Sequence, residues 1–106
     1  MRMIAAGALA CLAGAAEARP ADCFVEIDGL TVIDGRCDFT GLDGDGSFQV
    51  GTLDGGYFVQ VFVTRPGEAE GWWNEARWSS RAHSGLGPLR RNDACWSNGF
   101  ATVCAW

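Results

Sequence analysis

Asp-Gly occurs five times between Asp28 and Gly55, as Asp28-Gly29, Asp34-Gly35, Asp43-Gly44, Asp45-Gly46 and Asp54-Gly55. Both residue types tolerate positive φ, so each pair is a turn signal, and no helix runs through a segment punctuated this often. The runs between them are short and β-rich: Cys23 to Ile27, Leu30 to Ile33, Arg36 to Thr40 and Ser47 to Thr52. Alternation assigns Cys23, Val25, Ile27, Cys37, Phe39, Phe48 and Val50 to an inner face. Tyr57 to Val63 has Gln60 as its only strongly polar residue, which predicts a strand apolar on both faces at the centre of the core. Beyond it, Arg65-Pro66-Gly67 opens a loop that Glu68 to Gly71 continues, and Trp72-Trp73-Asn74 reads as a short strand. Glu75 to Leu89 shows neither period, and its Gly85, Gly87 and Pro88 exclude a long helix. Ala94 to Trp106 closes the chain as a hairpin. The pattern predicts one small all-β domain, an antiparallel barrel or sandwich of short strands.

The first eighteen residues read differently. Met1-Arg2-Met3 gives a positive start, Ile4 to Ala16 runs without a charge, and Ala16-Glu17-Ala18 places small residues where a signal peptidase reads. Residues 1–18 are therefore expected to be a signal peptide and residues 19–106 the exported domain, periplasmic or secreted. The apolar run falls short of the roughly 20 residues that span a bilayer, so no transmembrane helix is expected. Ala8-Leu9-Ala10-Cys11 offers an alternative, a lipobox that would anchor the chain through Cys11.

Export accounts for an odd number of cysteines. Of the five, Cys11 leaves with the leader or is lipidated, and Cys23, Cys37, Cys95 and Cys104 remain as a disulfide framework. Local pairing, Cys23–Cys37 and Cys95–Cys104, is expected. A four-residue loop Asn98-Gly99-Phe100-Ala101 sets Cys95 opposite Cys104, whereas a tight Asn98-Gly99 turn would set Thr102 there. The first pair fits less easily, since two Asp-Gly signals separate its cysteines, and rests mainly on elimination. Zinc is disfavoured because no C-x-x-C pair occurs, and no metal or other cofactor is expected.

Every basic residue is an arginine, and the formal net charge of −5 argues against nucleic acid or an anionic membrane as partner. Asp43 to Asp54 has the length of a calcium loop. Phe48 stands where an EF-hand needs glycine, so a polar hairpin turn is the simpler reading. His83, beside Ser84 with Glu75 and Asp93 near in sequence, is the one hydrolase candidate. Nucleophile-elbow, phosphate-loop and dinucleotide motifs do not occur, so no catalytic set is assigned. All five tryptophans lie between Trp72 and Trp106. Exposed, they would stack on sugars or anchor a protein; buried, they are core bulk. Arg90-Arg91 next to Asp93 would suit an anion, or would be a solvated pair. The candidate binding residues are thus Trp72, Trp73, Asn74, His83, Arg90 and Arg91.

The pieces Trp73-Asn74, Ala82-His83, Leu86-Gly87, Leu89-Arg90, Ala94-Cys95-Trp96 and Cys104-Ala105-Trp106 resemble a family of small exported bacterial proteins ending in ACW-x-N…CAW. Gly35-Arg36-Cys37 and Gly46-Ser47-Phe48 fit the same family, whose resemblance implies no activity. Size, export and architecture also resemble the periplasmic C-type lysozyme inhibitors. The SG-x-x-Y motif and the lysine-containing stretch that carry inhibition there are absent. The expected function is a non-enzymatic interaction module of the envelope or secreted space, recognising a protein or glycan through the Trp72–Leu89 region. Alternatives are an inhibitor-like protein, a purely structural envelope domain and, last, a small hydrolase using His83.

Overall fold

A computed structural model describes residues 18–106. The expected signal peptide, with Cys11, lies outside the described residues, apart from Ala18, which opens the first strand. Eight strands follow: β1 (Ala18–Ile27), β2 (Leu30–Gly41), β3 (Phe48–Gly51), β4 (Phe58–Arg65), β5 (Glu68–Trp73), β6 (Ser84–Asn92), β7 (Cys95–Ser97) and β8 (Ala101–Ala105). Each pairs antiparallel with the next and β8 returns to β1, so the sheet is a closed up-and-down barrel rather than a sandwich. Closure pairs every strand on both sides, although β7 covers only the Arg90–Asn92 end of β6. One end, here the upper, carries the connections after β1, β3, β5 and β7. The lower end carries the other three connections, together with Ala18 and Trp106.

The inner face is the alternating set that the sequence pattern predicts. Ala21, Cys23, Val25 and Ile27 of β1, Cys37 of β2, and Phe48 and Val50 of β3 are all buried. Phe39 packs partly buried against the same cluster. Val25, Val50, Val59, Val61 and Val103 lose all solvent contact. Burying each contributes about 1.5–2 kcal/mol.

Four segments depart from the sequence expectation, each for a local reason. Leu30–Ile33 and Arg36–Thr40 are one twelve-residue strand, not two. Gly35 takes φ +126° within the ladder opposite Cys23, so the Asp34-Gly35 signal distorts the strand without reversing it. β4 is buried on its inner face only, at Val59 and Val61, while Phe58 and Phe62 face outward because no second layer covers the barrel. Glu68–Gly71 belongs to β5, with Ala69 and Gly71 turned inward.

Finally, β6 crosses the segment in which no period is visible. Gly71 pairs with Gly87 and Trp72 with Gly85, leaving Leu86 as a bulge that turns both Leu86 and Leu89 inward. Both leucines fill the space above Gly71, where a Cβ would stand 2.8 Å from Leu89 Cδ1 and 3.0 Å from Leu86 Cδ1. Pro88 is tolerated because β7 is only three residues long and pairs only with Arg90, Arg91 and Asn92. The side to which a Pro88 N–H would point therefore has no strand to serve. Asn98 closes part of this gap, its Nδ2 donating to the carbonyls of Leu86 (2.8 Å) and Pro88 (2.9 Å).

Both expected disulfides are present. Cys95 and Cys104 are directly opposed in the β7–β8 ladder across the four-residue connection, with Cα atoms 4.0 Å apart. Cys23 and Cys37 are diagonal neighbours: Cys23 pairs with Gly35 and Cys37 with Ala21, at a Cα separation of 5.9 Å. The first bridge lies on the outer wall and the second inside the barrel. Loop entropy assigns each about 2.5–3 kcal/mol. In urea unfolding, Cys23→Ala/Cys37→Ala is expected to lose more stability than Cys95→Ala/Cys104→Ala, since it closes the longer loop and also empties core volume. Equal losses would show that packing around Cys37 contributes nothing.

Candidate binding surfaces

The six candidate residues do not converge. Trp72 lies on the outer wall of β5 and Trp73 on its inner face at the upper end. Asn74 follows, fully buried. Its Nδ2 donates towards the carbonyls of Gly56 (3.0 Å), Ser79 (3.0 Å) and Ala76 (3.3 Å), and its Oδ1 accepts from the Phe58 N–H (3.1 Å). Asn74 therefore ties the β5–β6 connection to the β3–β4 connection, and its amide is occupied in doing so. His83 is exposed in the β5–β6 connection, its Nδ1 3.2 Å from the Arg81 carbonyl oxygen. The neighbouring Ser84 hydroxyl donates to Glu75. Arg90 points outward toward Glu68, 4.0 Å away, whereas Arg91 turns to the lower mouth, where its Nε donates to the Asp93 carbonyl (3.0 Å).

The tryptophans divide. Trp73 and Trp96 are 8% and 6% exposed and belong to the core; Trp72, Trp78 and Trp106 are 37%, 62% and 61% exposed. Trp72 is the one that lies on a regular sheet surface. Its six-membered ring covers Gly85, with Cζ3 3.4 Å and Cε3 and Cη2 3.7 Å from where a Gly85 Cβ would stand. The indole thus packs over the bare glycine and stays 37% exposed. Register continues the row across the barrel: Thr40 pairs with Gln49, Gln49 with Gln60, Gln60 with Trp72 and Trp72 with Gly85. Gln60 Nε2 donates to Gln49 Oε1 (2.9 Å), which orients both amides in the sheet surface. Phe58 and Phe62 flank Gln60 along β4 on the same outer face, and Phe62 is 39% exposed. Strand alternation sets Gln60 and Phe62 on one face of β4, but the sequence pattern predicts burial of both faces. Their meeting with Gln49 and Trp72 depends on register, which sequence does not supply.

Each barrel end holds a cavity. The lower, about 340 Å³, is lined by Phe39, Phe48, Val63 and Trp96 beneath Arg19, Arg91, Asp45 and Asp93. Phe39 stacks on Phe48 at 5.3 Å between centroids, and the Arg19 guanidinium lies 4.4 Å above the Phe39 ring. The upper, about 440 Å³, opens where short β7 leaves the wall incomplete. No group of His, Cys, Asp and Glu side chains suited to a metal ion occurs among the described residues. Asp43 serves its own turn, Oδ1 accepting from the N–H groups of Asp45 (2.9 Å) and Ser47 (3.1 Å).

Asp43 and Asp54 both have carboxyls held below the ordinary value of 3.8. For Asp43 the main cause is the Asp45 N–H, and for Asp54 it is the Thr52 hydroxyl, followed by the Gly56 N–H and Arg77. A depressed carboxyl stabilises the fold above its unfolded pKa and loses that contribution as pH falls through the folded one. The urea midpoint is thus expected to hold above about pH 5 and fall below about pH 4, less steeply in Asp43→Asn/Asp54→Asn. Asn74→Ala, which strips partners from three carbonyls and one N–H, is expected to cost about 2–4 kcal/mol in the same assay.

Comparison with protein-family models, curated proteins and solved structures finds no match to this chain.

Proposed function

We propose that this protein is an exported, non-enzymatic binding module that recognises a glycan through the outer wall of β3, β4 and β5. The observation that carries the reading is the row Gln49–Gln60–Trp72–Gly85, in which a partly exposed indole seated over a glycine lies beside two mutually oriented amides. A sugar ring offers C–H faces that stack on an aromatic plane and hydroxyls that both give and accept hydrogen bonds. An amide supplies the matching donor and acceptor in one plane. Phe58 and Phe62 extend the apolar contact along β4 and would let a chain longer than one sugar lie across the wall.

Two disulfides are compatible with the oxidising space outside the cytoplasm, and among the described residues no helix is long and apolar enough to cross a membrane. Periplasmic or secreted residence is the reading that fits them together with the leader.

The test is titration of the exported protein with soluble N-acetylated and plain oligosaccharides, followed by calorimetry and tryptophan emission. Trp72→Ala is expected to weaken binding at least tenfold and Gln60→Ala several-fold, while Trp106→Ala, at the lower end, changes nothing. Binding unaffected by Trp72→Ala would remove the outer wall from consideration.

A further inference from the structure

The upper cavity has a chemical character of its own. Its lining brings together the end of β1 and its turn (Ile27, Asp28, Leu30), the end of β5 (Trp73, Glu75), the start of β6 (Ser84, Gly85) and Phe100. Trp73 and Phe100 supply aromatic surface and Leu30 aliphatic surface. Leu30 and Phe100 are large apolar side chains that the fold leaves exposed. No arginine or histidine lines the space, and it is bordered by two carboxylates. Neither Asp28 nor Glu75 enters an ion pair among the described residues, whose four pairs use Asp22, Glu68 and Asp54. Arg77, from the same β5–β6 connection as Glu75, is held by Asp54 and lies against the Tyr57 and Trp78 rings. Glu75 is fixed where it stands, since its carboxylate accepts from the Ser84 hydroxyl.

We propose that this cavity is a receptor site for a small organic cation, an ammonium or guanidinium group on a short apolar stem. A cation entering here donates charge-assisted hydrogen bonds to the carboxylates of Asp28 and Glu75. Its electrostatic attraction to an aromatic face would come from Trp73 or Phe100, and its stem would cover Leu30. The volume of about 440 Å³ falls in the range of small-molecule sites. An anion finds no positive group in the lining, and a neutral apolar molecule would leave both carboxylates without a counter-charge. The site is independent of the outer-wall reading, because Trp72 does not line it.

The experiment follows backbone amide shifts of the exported, isotope-labelled protein during titration with butylguanidinium and butylammonium, using butyrate and butanol as matched controls. Saturable shifts at Glu75, Ser84, Gly85 and Phe100 are expected for the two cations alone, weakened by added salt. Asp28→Asn/Glu75→Gln is expected to weaken them at least tenfold, and Trp106→Ala, at the opposite end of the barrel, to leave them unchanged. The same spectra report whether each variant is folded; Glu75→Gln alone, which keeps an acceptor for Ser84, serves if the double variant is not. Butanol saturating the same amides as strongly as the cations would overturn the proposal. So would shifts scattered over Asp22, Glu26, Asp34 and Asp38 of β1 and β2 and indifferent to Glu75→Gln.

Discussion

The barrel exists because its last strand pairs with its first. Five residue pairs, from Cys23–Ala105 to Ile27–Ala101, join β1 to β8. Asp22 and Trp106 extend the seam by exchanging backbone hydrogen bonds of 3.3 and 2.8 Å. The partners come from opposite ends of the domain, so this pairing carries the largest loop-closure entropy in the sheet. No covalent bond crosses it. The two disulfides instead flank it, Cys23–Cys37 fastening β1 to β2 and Cys95–Cys104 fastening β8 to β7. Each seam strand thus arrives as half of a stapled hairpin, with register and inward face already set. If the seam opened, two apolar strand edges would be released and both end cavities would lose their shape.

Much of the architecture is legible from turn chemistry and alternation. The closing hairpin and its disulfide follow from one loop length, because opposed cysteines and a four-residue connection imply each other. The inner residues of β1 and β3 follow from period two. What resists reading are places where tertiary contacts override a local signal. Asp34-Gly35 is absorbed into β2 because Phe24 and Cys23 of β1 continue to pair across it. β6 hides its period because the Leu86 bulge puts two leucines three apart on one face. The outward side of β4 looks like core from composition, since its sequence cannot say that nothing covers it.

The candidate sites were legible residue by residue and illegible as groups. Trp72 stands out from sequence as an aromatic candidate, yet Gln49 and Gln60 join it only through register. Asn74 stands out equally and proves to be a bracket between connections. The upper cavity gathers residues from four separate stretches of chain, none marked by a motif. Both surfaces share an origin in irregular β6: Gly85 seats the Trp72 ring, and the missing partner beyond Ser97 leaves the wall open beside Ser84 and Phe100. Regular pairing there would have produced a tighter barrel with neither feature.

The direction of the strands has a consequence for how the molecule can be displayed. An even number of antiparallel strands brings the start of β1 and the end of β8 to the same pole: Trp106 stands opposite Asp22, and Ala18, four residues further down β1, pairs with Thr40 of β2 at that end. Anything joined to either terminus, a surface, a fused domain or an acyl tether, would hold the domain by that pole. The opposite pole, with Glu75, Phe100 and the mouth between them, would then project outward, and the Trp72 wall would stand upright along the side of the post.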